Sequence, residues 1–323
     1  LTVDLEGFER EMKAQREQSR AAQAFSGSME MLTAYENLGV GQTQFVGYQE
    51  LRRDTVLLAI LVDPSTGSGQ AAPQGHATQG QQVELVLQDT PFYAEGGGQV
   101  GDRGTIAGPN GVVRVEDTQS PVAGLTVHHG LVERGDISLG EAVNAQVEAS
   151  HRLDSARNHS GTHLLHAALR SVLGAHVRQA GSLVTSERLR FDFSHVTALS
   201  PKEQLAVQGL ANEKVRENLR VSTHETSYTD AVKEGALAFF GDRYGDVVRV
   251  VAMAPGESSP ESSTTGHDLP QQAPFSVEVC GGTHVAATGQ VGTLFVLGES
   301  SIGGGMRRIE AVSGRAAEQL FVE

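Results

Sequence analysis

The rhythm of apolar and polar positions changes twice along this chain of 323 residues. Residues 4–24 (DLEGFEREMKAQREQSRAAQA) combine charge with strong helix formers, a pattern that predicts an exposed amphipathic helix. From about residue 36, short β-branched runs alternate with glycine. The predicted strands are Phe45–Tyr48, Thr55–Val62, Val83–Gln88, Gly111–Asp117, Leu125–His128 and Ala142–Val147. Six short strands with glycine turns predict a small β-barrel or sandwich over 36–149. Residues 63–80 (DPSTGSGQAAPQGHATQG) read as a surface loop within it.

A second texture begins near Ser150. Asp154 or Ser155 can cap a helix running to Leu173, and Gly174 sits where a carboxy-terminal cap is expected. Strands are predicted at 181–193, 221–227, Val247–Met253, 275–279 and 291–298, with helices near 203–219 and 229–239. Residues 255–274 (PGESSPESSTTGHDLPQQAP) form a second low-complexity loop, and a glycine-rich turn at 303–305 leads into RRIEAVSG. The second part, 150–323, is therefore predicted to be α+β, without the βαβ phosphate signature and without internal repeats.

Composition narrows the class. At 34.2 kDa, with 39% hydrophobic and 20% charged residues, the chain suits two globular domains rather than disorder. No apolar run is long enough to span a membrane, and no secretory signal is visible. A start at Leu1 rather than Met leads us to expect a piece of something longer. A single cysteine excludes an intrachain disulfide and fits a reducing, cytoplasmic setting, which leaves Cys280 available as a thiol. The net charge of −14 argues against general affinity for nucleic acid. Residues 151–220, however, carry ten Lys/Arg against six Asp/Glu, a local excess suited to one specific RNA.

Two short segments carry candidate chemistry. HSGTH places His159 and His163 four residues apart on one face of the predicted helix, so both imidazoles can reach a single ion. CGGTH supplies Cys280 and His284 with the same spacing. Nitrogen and sulfur donors in this mix suit Zn²⁺, whereas magnesium and calcium prefer oxygen. Gly281 and Gly282 permit a sharp bend or a close approach, and Gly161 within a helix suggests that something needs room there. The plainer reading stands beside this one: with twelve histidines an HxxxH pair arises by chance, and a lone cysteine is most often a buried apolar group.

NHSGTHLLHAAL, HVRQAGSLV, LRFDFSH, CGGTH and RRIEAVSG, in that order, resemble the editing domain of alanyl-tRNA synthetases and their free-standing relatives. FYAEGGGQVGDRG resembles the glycine-rich segment of the β-barrel that precedes that domain, and the leading helix over 1–35 resembles the tail of the tRNA-recognition region. The likeness runs from about residue 36 to 314. It implies a small β-barrel followed by an α+β zinc-binding editing domain of the threonyl/alanyl-tRNA synthetase type. It also implies a zinc-dependent hydrolase that removes serine or glycine wrongly esterified to tRNA(Ala), with His159, His163, Cys280 and His284 as the zinc ligands. No segment resembles the ATP-binding core, so amino-acid activation is expected to lie outside this chain. A structural, non-catalytic zinc module that binds tRNA is the alternative.

Under that resemblance the site must accept serine and spare alanine, which size exclusion cannot do, so a polar group that pairs with the serine hydroxyl is needed. Thr162 and Gln179 are the candidates, against the plainer readings that Thr162 satisfies a backbone carbonyl and Gln179 faces solvent. Gly97 and Gly98 of the GGGQ run either approach the tRNA backbone or form only a turn. Arg307 and Arg308 either touch tRNA phosphate or sit in surface salt bridges. His166 is a neighbour of the metal ligands or an ordinary helix-surface histidine. His267 falls in a solvated loop. The helix lacks the glutamate beside its first histidine that serves as base in HExxH proteases, so the proton acceptor is unassigned.

Overall fold

The computed structural model describes Tyr35 and residues 38–62, 72–239, 245–256, 273–320 and Val322. The expected leading helix, most of the 255–274 loop with His267, and residues 63–71 lie outside them. The chain divides into two compact units. The first comprises 1–46, 52–91 and 104–146; the second comprises 47–51, 92–103 and 147–323. The stretch 92–103, which contains GGGQ, thus clusters with the second unit although it falls inside the barrel stretch by chain order.

In the first unit the strands are β1 (Gln44–Phe45), β2 (Arg52–Val62), β3 (Ala72–Pro73), β4 (His76–Thr78), β5 (Gln82–Leu87), β6 (Asp89–Thr90), β7 (Gly104–Ala107), β8 (Gly111–Gln119), β9 (Val127–Ser138) and β10 (Ala142–Val147). Pairing runs β10-β7-β8-β9-β5-β2 and returns from β2 to β10, a closed six-stranded barrel with no free edge among these six. Alternation supplies its interior: Leu57, Leu85, Ile106, Val113, Ile137 and Val143 are buried. Three expectations change here. Phe45–Tyr48 contributes only β1, which pairs with β6 outside the barrel. The expected Leu125–His128 strand starts at Val127 and continues to Ser138, bending where β8 shifts register opposite it. The short β7, hemmed by glycines, was not expected, and it closes the barrel. Part of the expected 63–80 loop is strand, since β3 pairs with β2 and β4 with β9.

The second unit is α+β. It holds α1 (Ala149–Leu173), β11 (Gln179–Val184), β12 (Leu189–Ser194), α2 (Pro201–Arg216), β13 (Arg220–Ser227), α3 (Tyr228–Lys233), β14 (Val247–Ala254), β15 (Ser276–Val279), β16 (Leu294–Gly303), β17 (Met306–Ser313) and α4 (Arg315–Gln319). Two antiparallel sheets form, β11-β12-β17-β16 and β13-β14-β15. Leu164, Leu165, Ala168 and Leu169 of α1 join Phe191, Phe193, Ile309 and Val207 in one core. The expected single strand over 181–193 is a hairpin, β11 and β12.

Helix α1 starts at Ala149, not at a cap on Asp154 or Ser155. Asp154 instead receives Arg157 at 2.7 Å and also Arg315. One turn in, Arg152 is buried and its Nε lies 2.9 Å from Asp102 Oδ2. Gly174 closes the helix as expected, its N–H donating to Arg170 O. Helix α2 carries a capping box between Ser200 and Glu203 with Pro201 following. Gly161 needs room for packing: a Cβ there would stand 3.2 Å from Leu294 and 3.3 Å from Leu189, so the space belongs to the core and not to a ligand.

His128 lies fully buried in the first unit, bridging Leu85 O at 2.9 Å and Thr90 Oγ1 at 2.7 Å. Burial pushes its imidazole down to about 4. The unfolded chain, with an ordinary histidine near ~6.5, then binds more protons than the fold between these values, so stability falls as pH drops through that window, by about 2 kcal/mol at pH 5. Ring-proton NMR should show His128 still neutral at pH 5; a midpoint near 6.5 would contradict this.

Candidate metal centre and its cavity

Helical spacing and a bent loop bring the two motif segments together. On α1, His159 and His163 stand one turn apart and both are buried. Cys280 and His284 lie on the loop that follows β15. Ligand atoms of these four residues fall within 4.8 Å of one another, a group that could hold a metal ion. Cys280 Sγ is 3.3 Å from His159 Nε2 and 3.3 Å from His284 Nε2. A tetrahedral ion with bonds of ~2.0–2.1 Å to nitrogen and ~2.3 Å to sulfur separates such donors by roughly 3.5 Å, so the spacing and the donor types both suit it. The expected convergence across 121 positions of sequence is therefore present.

The loop is strapped from several sides. Arg249 Nη1 donates to Cys280 O at 3.0 Å and to Gly282 O at 2.9 Å. The Arg249 guanidinium lies over the Tyr48 ring, and Tyr48 Oη donates to Gly281 O at 2.6 Å. Gly282 is required because a Cβ there would overlap the His159 ring and crowd Gln99. Gly281 has open space around it, so the close approach belongs to one glycine of the pair.

A second ring of groups holds the imidazoles. Gln99 Oε1 is 2.7 Å from His159 Nδ1, Ser160 Oγ is 3.1 Å from His284 Nδ1, and Glu278 Oε2 is 3.3 Å from His163 Nδ1, an ion-pair distance without hydrogen-bond alignment. All three rings thereby turn Nδ1 outward, the orientation expected around a bound metal. Glu278 Oε1 also meets His166 Nδ1 at 3.0 Å. His166 is fully buried between the Phe191 and Phe239 rings, so it is neither a ligand nor a surface histidine.

Electrostatics prepare the sulfur. Burial pushes the Cys280 thiol up, but the imidazoles around it, His159 foremost, outweigh it and leave the thiol well below its usual range. The Gly282 N–H also points at Sγ, 3.4 Å away. Burial pushes His284 down to about 3, which keeps it neutral. Burial opposes charge on His163 as well, yet the carboxylate of Glu278 prevails and raises it to about 10. Glu278 is correspondingly held well below the usual carboxylate range, against burial, by His163 and His166.

A cavity of about 570 Å³ opens onto this group. His159, His163, Cys280, Glu278, Thr162 and Gln179 line it, together with Tyr93, Gly96–Gly98 and Gly281–Gly282. Thr162 Oγ1 donates to Asn158 O at 2.8 Å, the plainer of its two readings, although its oxygen can still accept. Gln179 is half-buried and its Nε2 donates to Ser182 Oγ at 3.0 Å. Gly98 has φ +89°, and a Cβ there would collide with Ser182, so local packing accounts for it. Arg307 pairs with Glu299, and Arg308 reaches Asp192 Oδ1 at 2.7 Å and Oδ2 at 2.9 Å. Both guanidinium groups are thus neutralised by carboxylates, as in the salt-bridge reading.

Sequence reading missed Gln99, Glu278 and Ser160. Only Ser160 carried a signal, its place between the two helix histidines. Gln99 and Glu278 needed the fold.

Comparison with known proteins agrees with this architecture. Residues 248–310 match the family described as "Threonyl and Alanyl tRNA synthetase second additional domain", and residues 1–151 match "tRNA synthetases class II (A)". The second unit thus contains a segment of the threonyl/alanyl-tRNA synthetase additional-domain type. The alanine–tRNA ligase of Chloroflexus aurantiacus is 44% identical over 318 residues, covering 98% of this chain and 34% of that protein. That of Rhizobium johnstonii is 44% identical over 325 residues, covering all of this chain and 35% of that protein. The chain belongs to the alanyl-tRNA synthetase family and spans about a third of the length of these relatives.

Replacing Gly282 with alanine should destabilise the second unit by about 1–3 kcal/mol, since its Cβ meets a buried ring. Urea unfolding reads this out, with Gly281→Ala, which has open space, expected to be nearly neutral.

Proposed function

We propose that His159, His163, Cys280 and His284 hold one Zn²⁺, and that the cavity beside it hydrolyses tRNA(Ala) wrongly esterified with serine or glycine, as an editing step within an alanine–tRNA ligase. The observation that carries this reading is the cavity of about 570 Å³ lined by three of the four candidate ligands, His159, His163 and Cys280. A purely structural metal site has no need of such an opening. The four-donor group itself favours the second reading, a structural zinc module that binds tRNA.

Zinc, when bound, supplies Lewis-acid polarisation of a carbonyl or lowers the pKa of water. The remaining work falls to this chain's own residues. Thr162 already donates its hydroxyl proton to Asn158 O, so toward a substrate it is an acceptor, matched to the donor O–H of serine. Gln179, anchored through Nε2 to Ser182, lines the same cavity, and its amide oxygen serves as a second acceptor. Alanine leaves both oxygens without a partner, and an unpaired polar group disfavours it by as much as ~10⁴-fold. Glycine is removed on the strength of its small size, with weaker discrimination. The tRNA 3′ end approaches along Gly97 and Gly98, which line the same cavity. Arg307 and Arg308, already neutralised, have no part in this reading.

Cys280→Ala should abolish both zinc content, measured by atomic emission, and release of serine from Ser-tRNA(Ala). Full deacylation by a zinc-free variant would sink the metal's role, whereas zinc retention by the wild type without any deacylation would favour the structural module. Thr162→Val and Gln179→Ala should each narrow the ratio of serine to alanine release by roughly ten-fold or more. Unchanged ratios in both would remove them from selection.

A further inference from the structure

Gln99 comes from GGGQ, far in sequence from both motif segments, yet its side chain is fully buried against them. Its amide makes three hydrogen bonds. Oε1 accepts from the Thr283 backbone N–H at 2.9 Å, Nε2 donates to Thr283 Oγ1 at 2.9 Å, and Oε1 lies 2.7 Å from His159 Nδ1. A backbone N–H can only donate, so the Thr283 bond settles which end of the amide is oxygen. That oxygen can only accept, so His159 Nδ1 must carry the proton. With a metal bound, His159 Nε2, 3.3 Å from Cys280 Sγ, is then the nitrogen left to supply the lone pair.

The segment that carries Gln99 is itself fixed. Gly96 and Gln99 exchange backbone bonds at 3.1 and 3.0 Å, Val184 N–H donates to Gly98 O at 2.7 Å, and Val100 N–H donates to Val184 O at 3.1 Å. Asp102, three residues on, accepts from Tyr93 N–H at 2.7 Å and pairs with Arg152 of α1. The amide is thus tied to strand β11, to α1 and to the CGGTH loop at once.

We infer that Gln99 is a positioning residue: it locks His159 in the Nδ1–H tautomer and clasps the CGGTH loop against α1, so that retention of the metal depends on it. The inference deepens the zinc reading above and rests on it. Gln99 touches no reacting atom. It acts through His159 and Thr283.

The test uses the full 323-residue chain loaded with Zn²⁺ and a competing chelator. Gln99→Ala should lose zinc roughly 10- to 100-fold more readily than wild type, the usual cost of removing an outer partner of a ligating histidine. Gln99→Glu keeps an acceptor for both His159 Nδ1–H and Thr283 N–H, and should recover most of that loss. Equal zinc retention by wild type and Gln99→Ala, or an Ala variant no weaker than Glu, overturns the inference. A second measurement covers a variant that does not fold: ¹⁵N NMR of the metal-free wild type should show His159 protonated at Nδ1, and an Nε2–H tautomer overturns the inference. A wild type that takes up no zinc refutes the metal reading instead, and the tautomer measurement separates the two failures.

Discussion

Three imidazoles and one sulfur, two of them buried and two half-buried, are pressed together, and the second unit is arranged around keeping them there. Such a cluster does not assemble by itself, because each group loses hydration and its polar atoms need new partners. The surrounding chain offsets this locally. Glu278 faces the charge on His163, the Gly282 N–H points at the sulfur, and Gln99 and Ser160 meet the outward nitrogens of His159 and His284. The close approach depends on one atom that is missing, the Cβ of Gly282.

From this constraint follows the unusual character of α1. A helix that lines a core is expected to show one apolar stripe. Here His151, Arg152, Asn158, His159, Ser160, Thr162, His163 and His166 are buried along with the leucines. Arg152, Asn158 and His166 occupy such positions against dedicated partners: Asp102 for Arg152, Ser313 and the Thr185 carbonyl for Asn158, Glu278 for His166. One face of the helix joins the sheet core and another presents donors to the cavity, so packing and chemistry share the same three turns.

Much of this was legible in one dimension. Alternation and glycine spacing marked five of the barrel's six strands in part, and Gly174 marked the end of α1. HxxxH and CxxxH gave the four donor types, and on α1 side chains four apart share a face whatever surrounds them. Other elements were not legible. β7 is four residues long between glycines, too short for a periodic signal, and exists because the barrel supplies partners on both sides. The start of α1 at Ala149 has no side-chain cap to announce it, and Asp154, the expected cap, pairs with Arg157 and Arg315 instead. Gly161 suggested that something needs room there, and that room is taken by Leu189 and Leu294. His166 resembled a surface residue because helix spacing gives a direction without saying what packs there.

The sequence by itself determined the donor types, their pairing into two short segments, the division into β-rich and α+β textures, and the family resemblance, since each of these is a property of neighbouring residues. Only the tertiary structure decided that the two segments meet, that Gln99 and Glu278 stand behind them, and that Arg307 and Arg308 are neutralised by Glu299 and Asp192. The reason is physical. Hydrogen bonds and ion pairs act over about 3 Å between groups separated by tens to hundreds of residues, and a linear pattern holds no record of distances that only packing creates.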